Sequence, residues 1–213
     1  MYRILIIIVI VLIIIRMLWM YRAGKWDFIL IKNAVNQGVG LLFKWLMMSE
    51  FKSDFYKRFR YFFVSISVIS FIGLALTGLI PFFLFGESMG SIFLIIHVTI
   101  APFFVLALMF CAIFMGHFQQ FDNSDYNDLK KMRFKKGIIN PNNYSKNVWS
   151  KIYFWLILVF SVPAILSIIL SMFPYFGTEG QIIMLNIHRY STLVLVVISF
   201  LYIDLSMSSI IRK

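Results

Sequence analysis

The chain has 213 residues, 61% of them hydrophobic and only 14% charged, and a formal net charge of +11. Apolar runs of about twenty residues recur, which excludes an ordinary water-soluble domain and marks a chain that crosses a membrane several times. The single cysteine, Cys111, excludes an internal disulfide and an all-cysteine metal site, and basic loops beside membrane spans account for the positive charge without a nucleic-acid partner.

Residues 4–21 (ILIIIVIVLIIIRMLWMY) form the first apolar segment. Arg16 interrupts it near the far end, where it can snorkel towards headgroups with Trp19 and Tyr21 as interfacial anchors. No small-x-small cleavage pattern follows, so an uncleaved anchor is expected rather than a signal peptide. Over residues 28–48 apolar positions are interleaved with Lys32, Asn33, Asn36, Gln37 and Lys44, a pattern suited to a helix lying in the interface. Lys52, Lys57, Arg58 and Arg60 then precede a second span over 61–85, which contains Thr77-Gly78. A short turn leads to a third span over 92–115. Residues 117–151 form the one long polar connection. A fourth span over 152–173 ends at Pro174-Tyr175-Phe176, and a fifth covers 182–208. The expected fold is an all-α integral membrane helical bundle. It divides into an N-terminal transmembrane anchor (1–21), a cytoplasmic or interfacial linker (22–60) and a helical core (61–210).

Charge sets the expected orientation. Lysines and arginines concentrate in 22–60 and in 117–151, while the opposite turns carry only Glu87 and Glu179. The positive-inside rule therefore places the N-terminus outside and both basic segments and the C-terminus in the cytoplasm.

Three histidines are present, and a histidine inside an apolar span is a functional candidate until a partner is found for it. His97 and His188 each lie about six residues into spans that run in the same direction, so both sit about 9 Å below the outer interface at 1.5 Å rise per residue. Two imidazoles at one depth can approach a haem iron from opposite faces. Arg189 would be a natural propionate partner, and residues such as Phe103 and Phe104 could supply apolar walls. The alternative is that each histidine merely hydrogen-bonds a neighbouring helix or sits in the interface. His117, beside Gln119 and Gln120 at the cytoplasmic end, reads as an interfacial residue.

These residues carry a family resemblance. His97, the run Phe103-Phe104-Val105-Leu106-Ala107-Leu108-Met109-Phe110, and His117 together resemble the second core helix of the formate dehydrogenase gamma subunit family of four-helix cytochromes b. Arg58 to Thr77-Gly78-Leu79 is similar to that family's first core helix, Trp149–Phe176 to its third, and Leu185, His188 and Tyr202 to its fourth. The resemblance covers about residues 55–210 and leaves the first span as an extra helix. It implies haem b held by His97 and His188. A second, inner haem is expected to be absent, because the start of the first core helix, Arg60-Tyr61-Phe62-Phe63-Val64, has no histidine and the late position of the fourth is Tyr202. It further implies an exchangeable quinone, menaquinone or ubiquinone, near Asn147-Val148-Trp149-Ser150-Lys151. There Asn147 and Lys151 match the family pattern, Trp149-Ser150 replaces a Gly-Gln pair, and Asp204 could relay protons. For Lys151 the plainer reading is a positive-inside cation, and for Asp204 a carboxylate that snorkels or pairs with a base.

The resemblance thus implies a b-type cytochrome subunit in a bacterial inner membrane. It would carry electrons between the quinone pool and the catalytic and iron–sulfur subunits of an oxidoreductase at the outer face, without catalysing turnover itself. A haem-free anchor or assembly subunit is the alternative. A small transporter ranks last, because few polar groups fall in the cores of the spans.

Overall fold

Helix is the only regular structure among the described residues, which in this computed structural model are 2–22, 55–86, 90–134 and 143–210. In chain order the helices are α1 (Tyr2–Arg22), α2 (Phe55–Phe85), α3 (Ser91–Gly116), α4 (Asn123–Phe134), α5 (Asn143–Ser171) and α6 (Gly177–Ile210). All but α4 are long and apolar enough to cross a membrane, so the chain is an all-α, multi-pass membrane protein. The proposed interfacial helix over 28–48 and most of the 22–60 linker lie outside the described residues. The helices run past the apolar spans at their polar ends: α2 begins at Phe55 rather than 61, and α5 at Asn143 rather than 152. Backbone hydrogen bonding continues where hydropathy stops.

The chain forms two units, Met1–Gly116 and His117–Lys213. In the first, α2 and α3 pair as a hairpin. Ser70, Gly73, Thr77 and Pro81 recur every three or four residues along α2, and Phe104, Ala107, Leu108 and Cys111 do the same along α3. Apart from Gly73 these positions are buried. Small side chains let the helices approach closely, so that a Cβ added at Gly73 would stand 3.0 Å from Cδ1 of Ile100. The side chain of Cys111 is a buried packing element. Gly86, at φ +72°, closes α2 and its N–H donates to the Phe82 carbonyl at 3.1 Å. The start of α1 meets this end of the hairpin, with Tyr2 edge-on to Phe82 and the Arg3 guanidinium over Gly86. At the other end of α1, Arg16 lies 4.8 Å over the Trp19 ring.

The second unit is built on the α5–α6 hairpin. Ser161, Ala164 and Ser167 form a buried small-residue stripe on α5, and Leu193, Leu195 and Ile198 are the buried positions of α6. A 3-10 turn, Pro174–Phe176, joins the two helices and ends at Gly177, whose φ of +61° with ψ near 180° suits only glycine. In both units the hydroxyls inside the spans bond back to carbonyls one turn earlier, among them Thr77, Thr99, Ser161 and Thr192. Lipid cannot satisfy those groups, so the helix does.

The long polar connection contains α4. Asp122 is its N-cap: the Asp125 N–H donates to Oδ1 of Asp122 at 3.0 Å, and the Asp122 N–H donates to Oδ2 of Asp125 at 2.9 Å. This reciprocal pair is a capping box. The buried Asp125 also forms an ion pair at 2.6 Å with Lys151, which fastens α4 to α5.

Candidate functional site

His97 lies in the second turn of α3, half-buried, and faces α2. Its Nδ1 is 2.9 Å from Oγ1 of Thr77. The Thr77 hydroxyl has a single proton: given to the Gly73 carbonyl, 2.8 Å away, it leaves the oxygen to accept from His97 Nδ1; given to the ring, it makes Nδ1 the acceptor. The imidazole lies over Gly78, where an added Cβ would come 3.5 Å from Cε1. The Thr77-Gly78 pair thus supplies a hydroxyl and a smooth surface for the ring.

His188 is held in a similar way within the other hairpin. Its Nδ1 is 2.7 Å from the backbone carbonyl of Ala164 on α5. A carbonyl can only accept, so this Nδ1 carries the proton. The Ser167 hydroxyl donates to the same carbonyl at 3.2 Å. Pro163 stands beside Ala164 inside α5, and a proline removes one rung of the helical ladder one turn back. Arg189, the residue after His188, is half-buried and close enough to act on it electrostatically.

The Ala164 carbonyl fixes the tautomer of His188, with the proton on Nδ1 and the lone pair on Nε2, and His97 takes the same tautomer when the Thr77 oxygen accepts from it. This is the arrangement in which histidine binds iron while its other nitrogen is tied to an oxygen. The donor chemistry of His97 and His188 therefore fits an axial ligand of haem. Among the described residues no three His, Cys, Asp or Glu side chains converge as a metal-ion cage.

The remaining predicted residues fall out differently. Phe104 is buried in the first hairpin, its ring 5.8 Å from Phe71, while Phe103 is exposed. His117 opens a 3-10 turn, exposed, with its ring edge-on to Phe118. Asn147 lies in the second turn of α5. Lys151, read from the sequence as a positive-inside cation first and as a quinone contact only through the resemblance, has its ammonium on Asp125. Asp204 is buried near the end of α6, within electrostatic reach of the Tyr153 hydroxyl, and the rings of Tyr153 and Tyr202 are 6.3 Å apart. Sequence reasoning missed Asp125 and the Ala164 carbonyl. The first had a signal, the Asp-x-x-Asp spacing before a helix; a backbone carbonyl has none.

Comparison with protein-family models, with curated proteins and with solved structures gave no match. What the protein does has to be read from its own residues.

Proposed function

We propose that the protein is a b-type cytochrome subunit of a bacterial inner membrane, with one haem b held by His97 and His188. The observation that carries this reading is the tie on the two histidines: Nδ1 of each is hydrogen-bonded to an oxygen of the neighbouring helix, the arrangement in which Nε2 is the iron-binding nitrogen. Their pairing rests on the topology read from the sequence, in which both lie at one depth on spans of the same direction. Haem iron supplies one-electron redox chemistry when bound. The chain's own residues do the rest: Thr77 and Ala164 orient the imidazoles, Gly78 admits the His97 ring, and Arg189 offers a cation for a propionate. The electron partners would be a membrane quinone and the iron–sulfur and catalytic subunits of an oxidoreductase at the outer face, with the N-terminus outside and the C-terminus cytoplasmic. For the quinone, Asp204 beside Tyr153 is the candidate proton relay. Lys151, paired with Asp125, contributes a fixed charge there, and Asn147 is the candidate donor.

The same two hydrogen bonds support a second reading, a haem-free anchor in which the histidines are interhelical ties. A dithionite-reduced minus oxidised spectrum, with pyridine haemochrome quantification, separates the two. The cytochrome reading expects one low-spin haem b per chain, lost in His97→Leu and in His188→Leu. Protein purified without haem from a haem-replete host overturns it and leaves the anchor.

A further inference from the structure

Three donors converge on one backbone oxygen of α5. The Ala164 carbonyl accepts from His188 Nδ1 at 2.7 Å and from the Ser167 hydroxyl at 3.2 Å. Helix α5 runs unbroken through this turn, so the Ile168 N–H is directed at the same oxygen. A carbonyl oxygen has two lone pairs. The ladder bond engages one, and His188 and Ser167 share the other. Donors on a shared acceptor draw on the same electron density, so the hydroxyl weakens the bond that the ring makes. Ser167 and Ala164 are 3% and 4% exposed, so water does not take the place of either donor.

A serine in a spanning helix ordinarily returns its proton to its own backbone. Ser161 does so to the Ile157 carbonyl at 2.7 Å, and Ser171 to the Ile168 carbonyl at 2.8 Å. Ser167 differs in the oxygen it meets, the one that holds His188. Its bond is the longest of the three at 3.2 Å, as befits a donor arriving at an oxygen already engaged. The two histidines thus differ in what governs them. At His97 the partner is a hydroxyl, and the direction of its proton sets the tautomer. At His188 the partner can only accept, so the tautomer is fixed and the strength of the bond is what can vary. A stronger Nδ1–H···O bond moves electron density to Nε2 and makes the imidazole a better donor to a metal.

We propose that Ser167 is a positioning residue that sets the ligand strength of His188 by competing for the Ala164 carbonyl. The inference rests on the cytochrome reading. With the hydroxyl in place, His188 is the weaker donor and the reduced state of the haem is favoured. Without it Nε2 gains electron density, which favours the oxidised state.

Three variants test this. Ser167→Ala removes the hydroxyl and keeps the helix, Ser167→Cys places a weaker donor of similar shape there, and Ser171→Ala removes an equivalent hydroxyl one turn on. In haem-free, histidine-labelled full chain, the His188 Nδ1–H proton resonance is expected to move downfield in Ser167→Ala. It should move less in Ser167→Cys and stay in place in Ser171→Ala. In haem-loaded protein the ratio of reduced to oxidised haem, read at one fixed ambient potential, is expected to fall about threefold in Ser167→Ala, the effect of a fraction of one ordinary hydrogen bond. A resonance that does not move in Ser167→Ala overturns the inference and leaves the cytochrome reading standing. So does an unchanged reduced fraction, and so does an equal change in Ser171→Ala. A resonance that moves in protein unable to take up haem overturns the cytochrome reading, and with it the redox role given to Ser167.

Discussion

A histidine within an apolar helix can be a tie, a ligand or both, and its second nitrogen decides which roles are open. In His97 that nitrogen is controlled by a hydroxyl. Replacing Thr77 with valine keeps shape and helix packing but removes the hydroxyl, leaving Nδ1 of a half-buried ring without that oxygen. The expected cost is about 1 kcal/mol of stability, read as a lowered thermal midpoint in detergent. Under the cytochrome reading, weakened haem retention and a shifted reduction potential accompany it, and Thr77→Ser restores both. A purely structural tie would move the midpoint alone. Asp122 offers a pH-dependent counterpart outside the membrane spans. Its carboxylate accepts from the Ser124 hydroxyl and the Asp125 N–H, which lower its pKa from 3.8 to about 2. A depressed folded-state value means that the stabilisation is present above the unfolded value and is lost as pH falls towards the folded one. Asp122→Asn keeps a competent cap with nothing to titrate at that position. The amide protection that wild-type α4 has in excess of this variant should therefore shrink between about pH 4 and about pH 2. At this scale the sequence was informative where chemistry resides in a rare side chain. His97 and His188 stood out because histidine is scarce and expensive in hydrocarbon. Thr77 was visible only as a small residue, because a threonine in a helix ordinarily spends its hydroxyl on its own backbone.

Elements were legible in proportion to their hydropathy. The five apolar helices could be located from composition and length, with boundaries short by six to nine residues at the polar starts of α2 and α5. Helix α4 could not, since it has no apolar stripe and its apolar neighbours lie on α5. Its only advance signal was Asp122 followed three residues later by Asp125, an acidic version of the capping-box spacing. What secures α4 is the Asp125–Lys151 pair, with side-chain exposures of 6% and 14%. Breaking such a pair from one side leaves a buried charge, a larger penalty than the pair's own net contribution. Lys151→Met is therefore expected to destabilise the docking of α4 by about 3 kcal/mol, seen as faster amide exchange across α4 with α6 unchanged. If Lys151 were instead a quinone donor, the same substitution would leave α4 protected and alter only quinone reduction. The measurement thus decides between the ion pair with Asp125 and the quinone contact that the family resemblance implied.

For the molecule as a whole, the apolar surface is the dominant fact. Isoleucines, leucines and valines on every spanning helix are exposed, including Ile69, Ile95, Ile113 and Val159. In water a surface of this kind would aggregate; in lipid it is matched, and packing between helices is left to small residues and hydroxyls. Hydropathy therefore revealed the environment of the chain but not which way it faces, because an apolar helix has no preferred direction. Direction resides in the loops, where lysines and arginines gather on one side. The lone, buried Cys111 makes this testable with little background labelling. A cysteine placed at Ser88, between α2 and α3, should react with a membrane-impermeant maleimide applied to intact spheroplasts. One placed at Asn142, between α4 and α5, should react only after permeabilisation. The reverse pattern would put His97 and His188 at the cytoplasmic end of their spans. The oxidoreductase proposed for the outer face would then lose its nearest electron-transfer partner, even if both imidazoles still bound iron.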